Sequence, residues 1–343
     1  MQDKEATPKK RRKVTVFRVI MVLLLVAGCA FAIFRLSLRS KLNARIEAIR
    51  AAGYPVTLTE LDEWYAIPDD AENAAYTIIS ALSFRVEPHY TQFVPMVGPM
   101  ELPARTEPLA EDTRGFTALY IIDNKEALEL LHAGAAIEHC RYPVDLSAGH
   151  EVLLNDLSSL KKCVQLLNLE AISRIDSEPS LSARSIISAF GIARSFEREP
   201  IIVCQLVRIA CQGSAVSTLE YLVNRTDFTD EQLKELSRAV VDAQAPAALS
   251  GAFVGDRCMS LDILRMLPAQ PSRELSIMIG RSSKSGADAH LRALAFVLHR
   301  FAGLTDRSTI IYLDLMEDYV EATRLPFDRR RKTIEAIGAR CDT

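Results

Sequence analysis

Residues 19–34 run without a single charge (VIMVLLLVAGCAFAIF), between the basic cluster at 9–13 with Arg18 on one side and Arg35, Arg39 and Lys41 on the other. Counted from Val14, the apolar stretch is 21 residues long, enough for one helix to cross a bilayer. Arg18 then lies near the inner edge, where its long side chain can reach the headgroups. The pattern predicts a basic head over 1–13 and a transmembrane signal anchor over 14–34, with no second span. Past the anchor the apolar positions take up the helical period. Leu42, Ile46 and Ile49 share one face of a juxtamembrane helix over 41–52 that Gly53 stops. Thr57 and Glu60 are spaced as a capping box, and Asp69 and Asp70 can cap a helix running to about 84. Over 150–175, Leu153, Leu157, Leu160, Val164, Leu167 and Ala171 step by 4, 3, 4, 3 and 4 onto one face. Ile186, Phe190, Ala193 and Phe196 mark a helix over 180–198. The next, opened by Pro200 and running to about 223, is apolar nearly all round and is expected to be central. Asp227 or Thr229 caps 230–243, and further helices are predicted after Pro246 and over about 288–302, 306–324 and 328–338.

Two stretches break the rhythm. Residues 86–110 hold Pro88, Pro95, Pro99, Pro103 and Pro108, which forbid a regular helix. The apolar residues among them, including Tyr90, Phe93, Val94 and Met96, predict an ordered or semi-ordered flap lying over a groove between helices and marking the binding face. Pro268 and Pro271 begin a second irregular stretch that ends in GRSSKSG at 280–286. Glycine is scarce, 14 of 343 residues, and no window alternates apolar with polar as a half-buried strand does. The expected fold is therefore all-α: one N-terminal transmembrane helix, then an irregular multi-helix bundle or array of antiparallel helix pairs. Its parts are juxtamembrane helices over 35–85, the flap over 86–110, a helical core over 111–267, a flexible loop over 268–287 and C-terminal helices over 288–343. No fixed repeat of tetratricopeptide or ankyrin kind is present.

Composition narrows the function classes. An apolar fraction of 49% excludes wholesale disorder, and a net charge of −3 argues against a nucleic-acid partner. Seven of the 41 bases but only two of the 44 acids lie in the first 34 residues, so the remainder is acidic by eight charges. That asymmetry predicts a bacterial cell-membrane protein, N-terminus cytoplasmic and body extracytoplasmic. Two other readings use the same residues. Leu25-Val26-Ala27-Gly28-Cys29 is similar to a lipobox, which would make Cys29 a lipidation site; the apolar run continues past it to Phe34, which favours a span. Residues 8–14 (PKKRRKV) look like a nuclear import signal, but a positive flank on the span explains them equally.

Three further segments carry a resemblance. They are residues 52–61 (AGYPVTLTEL), Asn73-Ala74-Ala75 and residues 140–145 (CRYPVD). With the basic head and single span, they resemble single-pass, N-terminally anchored helical bacterial proteins of planctomycete type. That resemblance implies no assigned activity and supplies no catalytic residues.

The search for chemistry finds no phosphate-binding loop, dinucleotide fingerprint, nucleophile elbow, HExxH or CxxC, and no cofactor is expected. Glu129-x-x-His132 is a lone ExxH, where a di-iron bundle needs two. His132, His139, Cys140, Asp145 and His150 are metal-binding types, but they spread over two helix ends and a proline turn, so no metal is expected. The cysteines outside the span sit beside apolar residues and read as small buried hydrophobes, with no connectivity fixed. Gln205, Arg208 and Gln212 form a polar stripe on the most apolar helix. It reads either as the wall of a groove for an anionic or peptide ligand or as that helix's solvent edge. The run at 329–332 (RRRK) reads as a solvated helix start. The expected function is a membrane-tethered extracytoplasmic scaffold or binding protein with a protein or peptide partner; the alternative is an anchored enzyme whose site is scattered in sequence.

Overall fold

The computed structural model describes residues 9–104, 107–144, 146, 151–266 and 303–341. Among these residues the protein is all-α, with twelve helices, one 3-10 turn and no strand. The helices are α1 (Lys9–Ala51), α2 (Leu58–Trp64), α3 (Ala74–Phe84), α4 (Glu111–Asp123), α5 (Lys125–Ala136), α6 (Glu151–Arg174), α7 (Pro179–Arg194), α8 (Ile202–Val223), α9 (Asp230–Asp242), α10 (Ala248–Met266), α11 (Leu304–Thr323) and α12 (Phe327–Cys341). The chain divides into two compact units, one of Met1–Tyr54 with Ile263–Leu315 and one of Pro55–Asp262 with Met316–Thr343.

In the first unit α1 is one uninterrupted helix of 43 residues, about 65 Å long at 1.5 Å per residue. The apolar run and the helix expected over 41–52 are thus continuous, because neither glycine nor proline occurs between Gly28 and Gly53. Gly53, at φ +83°, ends the helix in the left-handed region, its N–H donating to the Arg50 carbonyl at 2.9 Å. The apolar part of α1 is long enough to span a membrane and is wholly exposed. Below it Arg35 pairs with Asp306 at 3.1 Å and Arg45 with Asp314 at 2.8 Å.

The second unit is built in two layers. Helices α3, α5, α7 and α9 lie side by side in that order, and α4, α6 and α8 form the layer behind them. Sequence neighbours therefore alternate between layers, and one residue between α4 and α5 or four between α6 and α7 suffice to reverse the chain. All the described members of the α6 face, Leu157 to Ala171, are buried. The centre is α7, packed against α5, α6, α8 and α9. It can hold that place because its residues are small: Ser182, Ala183, Ser185, Ala189 and Ala193 are all buried. At Gly191 an added Cβ would stand 2.8 Å from the Ala135 carbonyl oxygen of α5. The expectation that α8 is central is corrected: one edge of it, with Leu206, Ile209 and Val216, is exposed. By length and composition α8 also suffices to cross a membrane, and a third of its apolar window is buried inside the protein.

Two turn segments lock the layers. Asn73 caps α3 by accepting from Ala75 N–H at 3.1 Å, the role expected of Asp69 and Asp70. Its side chain also accepts from Arg141 N–H at 3.0 Å and donates to the Arg141 carbonyl at 2.8 Å. Arg141 in turn lies 4.3 Å over the Tyr65 ring and pairs with Asp62 at 2.6 Å. Residues from all three resembling segments, including Val56, Asn73 and Tyr142, thus lie in one unit. The described part of the proline-rich segment is ordered against α4 and the core. Val94 is buried, Phe93 stacks on Phe116 at 4.8 Å and Tyr90 donates to Asp123 at 2.5 Å. The expected helix over 288–302 and the loop over 268–287 lie outside the described residues.

Replacing Gly191 with valine drives two methyl groups into α5. It should destabilise the detergent-solubilised chain by roughly 1–3 kcal/mol in thermal unfolding. Gly115 of α4 faces open space, so Gly115→Ala should stabilise by about 0.5–1 kcal/mol in the same assay.

Candidate functional site

The described cavities cluster on the α3–α5–α7–α9 layer. The largest, about 640 Å³, is a groove between α7 and α9. Its floor is apolar, with Ala135, Ala183, Ile187, Phe190 and Ala239; Arg184, Arg194 and Arg238 border it together with Glu235 and Asp242. None of the three arginines has an ion-pair partner among the described residues. Gly191, Arg194 and Asp242 also line a cavity of about 400 Å³ that reaches His139 and Cys140. Arg184 also borders a third cavity, of about 390 Å³, on the other side of α7. These hollows thus follow the length of one helix.

The groove wall α9 is pinned at both ends. Thr229 and Gln232 close a capping box, and Gln232 Nε2 donates to Ser180 Oγ of α7 at 2.9 Å. At its other end the Ala243 carbonyl accepts from Arg208 at 3.0 Å and from Gln212, a cation and an amide on the orphan carbonyl of a helix C-terminus. Gln205 accepts from Arg208 Nε at 2.7 Å and donates to the carbonyls of Phe196 at 2.8 Å and Glu199 at 2.9 Å. The stripe Gln205, Arg208 and Gln212 lines none of the cavities described above, and Gln212 is half-buried. It is a set of struts, with Gln205 and Arg208 buried, that positions the groove wall. The expected flap lies elsewhere too, since no residue of 86–110 lines the cavities described above.

The most polar interior feature joins α5, α6 and α7. His132 Nε2 lies 2.7 Å from Glu170 Oε2, and His132 Nδ1 lies 2.8 Å from Ser188 Oγ. Ser185 also donates to Glu170 Oε2, at 2.8 Å. His132 and Glu170 are only 9% and 7% exposed. Burial alone would raise the Glu170 carboxyl, but the hydrogen bond and electrostatic pull of His132, with the Ser185 hydroxyl, hold it below the usual carboxylate range. Serine, histidine and glutamate are the residue types of a hydrolytic triad, yet Ser188 sits inside α7, where the neighbouring N–H groups are committed to helical bonds and no oxyanion hole forms. The sequence signals for this arrangement were an acid inside the apolar run Leu166–Ile172 and serines three apart at 182, 185 and 188.

A second buried carboxyl lies where the 140–144 connector meets the α7–α8 turn. Glu199, 1% exposed, accepts from Tyr142 N–H at 3.0 Å through Oε1, while its buried Oε2 has no partner among the described residues. Burial pushes it up to about 7. Beside it Tyr142 bonds Ser195 at 2.8 Å and stacks on Phe196, and burial raises the Cys140 thiol to about 12. Burial likewise holds Cys163 and Cys211 near 12, as inert thiols. Cys29 is exposed on the apolar part of α1.

No family model, no curated protein and no solved structure matches the chain. Among the described residues no three His, Cys, Asp or Glu side chains converge as metal ligands. His132 is engaged by Glu170 and Ser188, His139 borders the 400 Å³ cavity, and Asp145 and His150 lie outside the described residues.

Glu199 generates a pH dependence. Its folded value, about 7, lies above the ordinary 4.5, so its contribution is fully present below about pH 4.5 and is lost as pH rises through about 7. Thermal unfolding between pH 5 and 8 should show stability falling by about 3 kcal/mol from this group. Glu199→Gln should flatten that slope and be the more stable chain at pH 8.

Proposed function

We propose that the protein is a membrane-anchored helical binding module, tethered by residues 14–34, whose α5–α7–α9 groove takes an extended or helical peptide segment of a protein partner. The carrying observation is the groove itself: an apolar floor bordered by three arginines that no acid among the described residues pairs. A peptide placing apolar side chains on Ile187 and Phe190 gains their burial, and its carboxylates can form charge-assisted hydrogen bonds with Arg184, Arg194 and Arg238. Layered helical arrays offer such faces to partners without catalytic machinery. The struts from α8 support this reading, because a wall held at both ends is preorganised for binding.

In this reading the body is extracytoplasmic and α1 is the single span, since bases precede the apolar run and acids dominate after it. Protease added to intact spheroplasts should digest the body and spare the head. A body protected until the membrane is opened would reverse the orientation.

Selection of random dodecapeptides on the detergent-solubilised chain should enrich sequences combining apolar residues with Asp or Glu. Exchanging Arg184 and Arg238 for glutamate should weaken the selected peptides about tenfold or more. Enrichment without acids, or binding indifferent to both exchanges, would remove the groove from the account.

A further inference from the structure

The 390 Å³ cavity is bounded by α4, α5, α6 and α7 and lies outside the groove. Its size is at the small end of the roughly 300–1,000 Å³ usual for small-molecule sites. Its walls include Ile121, Leu128 and Leu181, and its floor is the His132–Glu170 pair. Both hydrogen bonds that Glu170 receives fall on the same oxygen, Oε2, from His132 and from Ser185. Oε1 accepts none among the described residues, although the side chain is more than nine-tenths buried and borders the cavity. A carboxylate so placed has its geometry fixed through one oxygen and its other oxygen unclaimed. Unlike Glu199 Oε2 it is not sealed from solvent, so it can accept from a donor in the cavity, and the strongest complement to a carboxylate is a cation.

The rim has the opposite character. Lys125, Arg174 and Arg184 stand there, one from each of three helices, with Glu129 as the one acid beside them, so the rim is basic by two charges. Lys125 and Arg174 make exposed pairs with Glu129 at 3.7 Å and Glu178 at 2.7 Å, whereas Arg184 has no acidic partner among the described residues. An anion is favoured at the rim and a cation at the floor, with aliphatic wall between. A simple amine would leave Arg184 without a counter-charge, and a simple carboxylate would face Glu170. We propose that this cavity binds a small zwitterion, an ammonium and a carboxylate on an aliphatic body, of which an apolar amino acid is the simplest example. The ammonium donates to Glu170 Oε1, the aliphatic part packs on Leu128 and Leu181, and the carboxylate meets Arg184.

The test uses the full-length chain in detergent micelles, with leucine, isoleucine, valine and methionine as probes. At saturating probe at least one should raise the unfolding temperature by about 3 °C or more. Isothermal titration should show 3-methylbutylamine and 4-methylpentanoate, each carrying one of the two charges, binding at least about tenfold more weakly than leucine. Glu170→Gln should abolish the response. Should that variant fail to fold, Leu181→Trp, which fills the cavity from the first turn of α7, and Arg184→Glu, at an exposed position, should each weaken binding about tenfold or more while leaving unfolding without ligand little changed. No response to any of the four amino acids overturns the proposal, as does equal binding of either single-charge analogue. Arg184 borders the groove as well, so the groove peptide is the control: a chain that binds that peptide but no amino acid loses this proposal and keeps the other.

Discussion

Close approach around α7 is the constraint on which the rest of the body depends. A helix touching four neighbours cannot carry large side chains on every face, because interiors are packed to crystal-like density and each added methylene must displace something. Serine, alanine and glycine along α7 let α5 and α6 come close. That approach brings His132 of α5, Glu170 of α6 and Ser188 of α7 within hydrogen-bond distance. The same small residues leave shallow space on the open side of α7, where the groove runs. Packing and binding surface therefore share one cause.

The interior is less purely apolar than the composition suggests, and its polar groups differ in how well they are satisfied. Gln205, Arg208 and Asn73 spend their donors and acceptors on backbone atoms of turns and helix ends, which fixes where those turns sit. Each such bond is worth about 1 kcal/mol net, yet leaving its partner unpaired in the interior would cost more. Glu199 and Glu170 are the incompletely satisfied pair. Among the described residues one keeps a buried oxygen without a donor and is held partly neutral; the other is held below the usual carboxylate range and borders a cavity. Desolvation acts on both, and the difference comes from what faces them: a single backbone N–H for Glu199, an imidazole and a hydroxyl for Glu170.

The N-terminal helix obeys simpler physics. A helix satisfies its own backbone, so the apolar run of α1 stays helical although none of it is buried, and the helix continues through Arg35 and Lys41 until Gly53 lets the chain turn. Its charged flanks and the acidic remainder are properties of composition, independent of how the body packs.

For that reason the parts legible in the sequence are those with local causes. The all-α class, the long apolar N-terminal helix, the caps at Thr57 and Thr229 and the buried face of α6 follow from periodicity, capping chemistry and the scarcity of glycine, each acting within a turn or two of helix. The candidate site was not legible, since His132, Glu170 and Ser188 are separated by tens of residues and meet only once the layers are stacked. The polar stripe on α8 shows the limit from the other side. Spacing correctly placed Gln205, Arg208 and Gln212 on one edge, but whether that edge met solvent, a ligand or the end of another helix depended on where α9 finished. Periodicity records which face a residue occupies; only tertiary packing decides what that face meets, because the apposing surface comes from distant parts of the chain.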